Sequence, residues 1–156
     1  MISISIPGSN ELNLRYLVLD FNGTLAVDGK LLEGVVNKLN ALAYNLEIHI
    51  ISADTFGNVK EQLEKVKCKI KIIDETDQQL QKLGYIAQLD NDSVVAIGNG
   101  KNDALMLKHA ALGICMIQKE GASPESMMAA DVVCNDILEA IDLLTNPLRL
   151  KATLRK

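Results

Sequence analysis

The sequence predicts an α/β fold, a doubly wound and mainly parallel sheet, and three observations predict it. Short runs rich in Val and Ile recur along the 156 residues. Segments with the 3.6-residue periodicity of helices separate them. The short, continuous apolar strands suggest burial on both faces, as a parallel sheet covered by helices requires.

The elements follow in order. The opening Ile2-Ser-Ile-Ser-Ile, before Pro7-Gly8-Ser9-Asn10, reads as an extra strand turning antiparallel into the first main strand, Tyr16–Phe21. Thr24–Leu31 reads as a β-hairpin flap around Asp28-Gly29, a dipeptide suited to the positive φ angles of a tight hairpin turn. Leu32, Val35, Val36, Leu39 and Ala43 share one face at helical spacing, while Glu33, Asn37, Lys38 and Asn40 fall elsewhere. Strands are expected at Leu46–Ser52, Ile70–Ile73, Val94–Ile97, Gly113–Ile117 and Val132–Cys134. Helices are expected near 55–67, with Asp54 as N-cap, and near 76–89, 101–110, 123–130 and 136–145. Asn146-Pro147 then sets off a basic tail, Leu148–Lys156, expected to dock as a final helix within 147–156. With no linker, repeat or low-complexity tract, a single domain over 1–156 is expected, residues 1–13 being its N-terminal strand and turn.

Composition removes several function classes. The formal net charge of −4 argues against a nucleic-acid binder working through a basic face. The longest apolar stretch, Ala110–Ile117, is far short of the roughly 18–20 residues of a membrane helix. The N-terminus has no basic segment and apolar run of a secretory signal, so a cytoplasmic protein is expected. Cys68, Cys115 and Cys134 form no C-x-x-C, and Cys115 and Cys134, in apolar strand-like runs, read as small buried side chains. His49 and His109 have no neighbouring ligand type and read as structural.

In open α/β sheets ligands sit beyond the carboxyl ends of the strands. Asp20-Phe-Asn-Gly-Thr-Leu follows the first main strand and puts a carboxylate at its end, before a glycine that lets the chain turn. Ser52-Ala53-Asp54 follows the second and offers a hydroxyl and amides suited to a phosphoryl oxygen. Gly98-Asn-Gly-Lys-Asn-Asp103 follows the fourth with oxygen donors that suit Mg²⁺. Lys82 lies on the helix between them. Each signal has an ordinary structural reading alone, as a cap, a turn or a solvated lysine; the ordered set is more specific.

That set, Asp20-x-x-Gly-Thr-Leu, Ser52, Lys82 and Gly98-x-Gly-x-Asn-Asp103, resembles the haloacid dehalogenase superfamily of phosphatases and phosphotransferases. Ile51-Ser-Ala-Asp54, Val94–Leu105, Ala111-Leu-Gly-Ile and Ala129-Ala-Asp-Val-Val resemble more closely the phosphorylation domain of P-type ATPases, a similarity covering about residues 14–145. The resemblance implies that Asp20 forms an aspartyl-phosphate with Mg²⁺ as cofactor. It implies that Lys82 neutralises charge, and that phosphate is bound by Asn22, Gly23 and Thr24 of the nucleophile loop, by Ser52 and Ala53, and by Asn102. Metal would touch Asp20, the main-chain carbonyl of Asn22, Asn99 and Asp103.

Two departures qualify the transfer. The position two after the nucleophile, usually an acid in the family's phosphatases, is Asn22; losing general acid/base catalysis costs on the order of 10²–10⁴ in rate. P-type ATPases also lack an acid there. Asn99 stands where their motif has an Asp, which predicts weaker metal binding, with Asp103 or Asp54 compensating. The intervals of about 32 residues from Asp20 to Ser52 and about 30 from Ser52 to Lys82 leave no room for a cap domain. The open site must be closed by a neighbouring subunit, by a large substrate or by nothing beyond the flap; the resemblance to capless members implies self-association, and a small phosphorylated substrate, or a phosphoprotein, is the expected partner. The competing function is a binding module for phosphate or Mg²⁺ that acts through a partner.

Overall fold

The computed structural model describes residues 1–54 and 57–156. Strands β1 (Ile2–Ile4) and β2 (Leu12–Leu14) form an antiparallel two-stranded sheet of their own. The expected pairing of the N-terminal strand with the first main strand is not made. That strand, β3 (Tyr16–Asp20), is paired with neighbours on both sides, which leaves no edge for β1. The flap follows as β4 (Ala26–Val27) and β5 (Lys30–Leu31), antiparallel around Asp28 and Gly29 with φ of 51° and 71°.

The chain then alternates: α1 (Val35–Leu42), β6 (Glu47–Ser52), α2 (Val59–Gln62), β7 (Lys69–Ile72), α3 (Gln78–Leu89), β8 (Val94–Gly98), α4 (Ala104–His109), β9 (Leu112–Met116), α5 (Pro124–Ala129), β10 (Val132–Cys134), α6 (Ile137–Thr145) and α7 (Pro147–Leu154). The main sheet is parallel, in the order β10-β9-β8-β3-β6-β7. The order reverses between β3 and β8, where such sheets leave a crevice.

The helix expected over 55–67 is a single turn, Val59–Gln62, starting after Asn58 rather than Asp54. Asp54 and Gly57 both have left-handed backbone, φ 50° and 68°, which keeps the chain from entering the helix earlier. Asp54 still receives the Val59 N–H at 3.0 Å. Thr55 and Phe56, part of that expected helix, lie outside the described residues. The 101–110 segment begins with a 3₁₀ turn, Lys101–Asp103, before α4. Helix α7 docks through the buried Leu150.

Two apolar layers sandwich the sheet. Leu17 and Leu19 pack with Val35 and Leu39 of α1 and with Ala140 and Ile141 of α6. Val18 and Ala96 join Ile86 of α3 and Met106 and Leu107 of α4 on the other face. The two-residue period of a strand therefore delivers Asp20, two after Val18, to the α3 side. Strand β9 lies so close to α4 that a Cβ on Gly113 would sit 2.2 Å from the Leu107 carbonyl oxygen. Gly113→Ala should therefore destabilise the fold by about 1–3 kcal/mol, read as a lowered urea midpoint; an unchanged midpoint would contradict this close approach.

Candidate active site

The tips of the three adjacent strands β6, β3 and β8 meet at the crevice. Asp20 pairs with Ile51, one residue before Ser52, and Leu19 pairs with Ile97, one residue before Gly98. Helix α3 brings Lys82 over these tips because Lys82 and Ile86, one turn apart, form its buried face. The Lys82 Nζ donates at 2.6 Å to Asp20 Oδ1 and at 2.6 Å to Asp103 Oδ1.

Asp103 is completely buried, and its second oxygen accepts the backbone N–H groups of Asn99 and Gly100, each at 2.9 Å. Gly98 makes room for it: a Cβ there would lie 2.5 Å from the Asp103 carboxylate. Both oxygens of Asp103 are thus committed to protein donors. The structure gives this residue the task of shaping the loop and holding Lys82, and leaves it poorly disposed for the direct form of the metal contact expected from sequence, directly or through water.

Burial, then repulsion from Asp103, pushes the Asp20 carboxyl up to about 7, against the pull of Lys82. Burial alone would lower the Lys82 ammonium, but the two carboxylates outweigh it and hold it above its ordinary value. The three groups together leave one uncompensated negative charge in a buried place.

The other expected residues divide into two groups. The Ser52 hydroxyl oxygen accepts the Asp54 N–H at 2.9 Å, and its own hydrogen has no acceptor among the described residues. Asn22 holds its side-chain oxygen buried with no partner among the described residues. These groups, with the Ala53 amide beside Ser52, retain capacity for a ligand. By contrast Gly23 N–H donates to Ala26 O at 2.8 Å and Thr24 N–H to Phe21 O at 3.2 Å. Those two amides, expected to face phosphate, are spent inside the loop. Asn102 donates to Gln78 Oε1 at 2.6 Å and so ties the 3₁₀ turn to α3 instead of offering that N–H to phosphate. Asp54, expected as a compensating acid, is engaged at α2.

Asn99 bridges loops. Its Nδ2 donates to Gly121 O at 3.0 Å, and its Oδ1 has only a long contact of 3.4 Å from the Thr24 hydroxyl. A Cβ on Gly23 would sit 2.3 Å from the Asn99 Nδ2, so glycine is required for this side chain to cross the loop after β3. Asp20, Asn22 and Asn99 offer oxygen donors only, one of them anionic. Such a set fits Mg²⁺, which keeps several waters and takes one or two carboxylates together with substrate phosphate. No cluster of three or more His, Cys, Asp or Glu side chains poised for a metal occurs among the described residues.

Sequence reasoning missed Gln118, which touches the loop after β3, and Gln78, which holds Asn102. A signal for Gln118 existed, since it lies just past the carboxyl end of β9, where the rule about strand ends points. The remaining candidates are inert: burial pushes the Cys68 and Cys115 thiols up to about 11. Buried His49 lies between Tyr85 and Glu47, at 2.7 and 2.8 Å from its two ring nitrogens.

Removing the ammonium leaves two carboxylates buried side by side, so Lys82→Met should cost about 3–5 kcal/mol at pH 8. The folded-state value of Asp20 lies above its unfolded one, so its contribution to stability is full below the unfolded value and lost as pH rises through the folded one. Without Lys82 that folded value climbs further. The stability gap between variant and wild type should therefore narrow as pH is lowered from 8 to 5 in chelator, as measured by urea denaturation. A gap independent of pH would refute the charge argument.

The comparisons with known proteins agree with this geometry. Residues 77–139, which carry Lys82, Asn99, Asn102 and Asp103, match the family model for haloacid dehalogenase-like hydrolases. An uncharacterized protein of Methanocaldococcus jannaschii is 45% identical over 92 residues, 59% of this chain and 88% of that one. A phosphoserine phosphatase of Idiomarina loihiensis is 41% identical over 69 residues, 43% of this chain but 30% of that enzyme. Among solved structures, the 3-deoxy-D-manno-octulosonate 8-phosphate phosphatase of Moraxella catarrhalis, in complex with magnesium, phosphate and sugar acid, superposes with TM-score 0.72 at 16% identity, covering 92% of this chain and 95% of that one. With its sheet order, its strand-end aspartate and its helix-borne lysine, this chain belongs to the haloacid dehalogenase superfamily of hydrolases.

Proposed function

We propose that the protein is a Mg²⁺-dependent phosphatase or phosphotransferase acting on a small phosphorylated substrate through transient phosphorylation of Asp20. The observation that carries this reading is the buried Lys82 ammonium shared by Asp20 and Asp103. A carboxylate and a phosphate dianion repel each other, and their approach needs positive charge already in place.

An Asp20 oxygen forms a bond to phosphorus while the bond to the leaving oxygen breaks, the electron pair departing with that oxygen. Lys82 keeps its proton throughout and offsets charge on the nucleophile. The Ser52 hydroxyl and the Ala53 N–H would donate to a phosphoryl oxygen. Mg²⁺, held by Asp20, the Asn22 carbonyl and Asn99, would neutralise charge between carboxylate and phosphoryl group. Asn22 has no proton to give the leaving oxygen, so acyl and aryl phosphates, whose anions leave unassisted, are the favoured substrates. Water then attacks the phosphorus of the aspartyl-phosphate, releasing inorganic phosphate and restoring Asp20. The similarity to the P-type ATPase phosphorylation domain supports a phosphoenzyme that persists, and a second copy of the chain would cover the site beside the flap.

One observation favours a second reading, a phosphate- or Mg²⁺-binding module: two positions that are acidic in many relatives are the amides Asn22 and Asn99. Acetyl phosphate and p-nitrophenyl phosphate, assayed with Mg²⁺, separate the two readings. Catalysis predicts turnover, or a hydroxylamine-sensitive phosphoprotein, that is lost in Asp20→Asn and in chelator. Neither turnover nor label across the panel selects the binding module. If turnover occurs, Asn22→Asp should raise hydrolysis of an alkyl phosphate, by up to about 10²–10⁴-fold; an unaltered rate means that proton transfer does not limit the reaction.

A further inference from the structure

The loop between β9 and α5 carries a polar junction that the mechanism has not used. Gln118, half-buried, donates its Nε2 to Gly23 O at 3.1 Å and to Thr24 O at 2.7 Å. Its Oε1 accepts the N–H of Ile137, the first residue of α6, at 3.0 Å. The orientation of the amide follows from its partners, since flipping it would face an oxygen to two carbonyls and an NH₂ to an N–H. The same loop receives Asn99 Nδ2 at Gly121 O and the Asp28 N–H of the flap tip at Glu120 Oε1, the latter at 2.8 Å.

These bonds fix the peptide planes just after the nucleophile. With the carbonyls of Gly23 and Thr24 held by Gln118, the loop closes on itself: Thr24, Leu25 and Ala26 all donate to Phe21 O, at 3.2, 2.9 and 3.0 Å. That closure turns Gly23 to φ 77° and sets Asn22 beside Asp20. Helix α6 is a rigid foundation for the clamp, because Asp136 caps its N-terminus by accepting the Leu138 and Glu139 N–H groups. We propose that Gln118 is a positioning residue for phosphoryl transfer, which clamps the nucleophile loop to the start of α6 and so orients Asp20 and Asn22. The proposal rests on the phosphatase reading for its catalytic consequence, but the clamp itself is testable without turnover.

The discriminating variant is Gln118→Glu. Its volume is unchanged and it still accepts from Ile137, but a carboxylate cannot donate to Gly23 and Thr24 and repels their carbonyls. Amide hydrogen exchange of the full chain should show Thr24, Leu25 and Ala26 exchanging about tenfold or more faster in this variant, with α6 amides unaffected. Gln118→Met should loosen both the loop and the first turn of α6. With acetyl phosphate and Mg²⁺, Gln118→Glu should lower kcat by up to about 10²-fold, the scale of a displaced reacting group, with KM little altered. Because a protonated Glu regains one donor, the ratio of variant to wild-type kcat should rise as pH falls toward 5. Unaltered loop exchange overturns the proposal whether or not the wild type turns over. Faster exchange together with an unchanged kcat overturns its catalytic part, and an inactive wild type with faster exchange removes the phosphatase reading while leaving the clamp.

Discussion

A lysine ammonium 2.6 Å from each of two carboxylates, with Lys82 and Asp103 fully buried and Asp20 only 7% exposed, constrains everything around it. Two buried carboxylates without a cation would combine desolvation with mutual repulsion. Helix α3 therefore cannot leave the sheet without stranding them. Asp103 must in turn be folded back beneath β8, which requires a glycine at 98 and uses the Asn99 and Gly100 amides as donors. One charge cluster thus ties the end of β3, the turn after β8 and the buried face of α3 into a single arrangement. Of the two carboxylates, Asp103 has donors on both oxygens, so the residual negative charge is least compensated at Asp20, the group proposed to meet an electrophile.

Much of this was legible in the sequence, for identifiable reasons. The central strands β3, β8 and β9 were readable because helices cover both faces, which selects unbroken runs such as Leu17-Val-Leu and Val95-Ala-Ile. Burial of those runs stabilises the sheet by about 25 cal/mol for each Å² of apolar surface removed from water, and no polar residue survives inside them. The N-terminal strand was read correctly as a strand and paired wrongly. Alternation in Ile-Ser-Ile-Ser-Ile identifies a half-buried strand but says nothing about which edge is vacant. Helix α2 was overextended because the positive φ of Asp54 is a tertiary outcome that an Asp at an N-cap position does not reveal.

At the site, the strand-end residues were readable from position, whereas Lys82 was a weak signal alone and drew its role from the family resemblance. A lysine on a helix is ordinarily a solvated group, and only the carboxylates across the crevice make this one buried. The clamps through Gln118 and Gln78 had no periodicity to announce them. A glutamine in a loop acquires its meaning from backbone carbonyls or side chains far away in the chain, such as those of Gly23 and Thr24.

The two asparagines at positions where the family resemblance leads one to expect acids differ physically. Asn99 donates to Gly121 O, a bond no carboxylate can make, so the amide is part of the scaffold joining two loops. The Asn22 oxygen is buried without a protein donor among the described residues, an arrangement whose desolvation cost is relieved only by something that enters the site. On the proposed function this leaves Asp20 as the sole anion with an uncommitted oxygen for a divalent cation. A cation arriving alone meets too little negative charge, and a phosphate dianion arriving alone meets the excess charge of the carboxylate pair. Each supplies what the other lacks, so the free energy of their binding is coupled, and by linkage each raises the affinity for the other by the same factor.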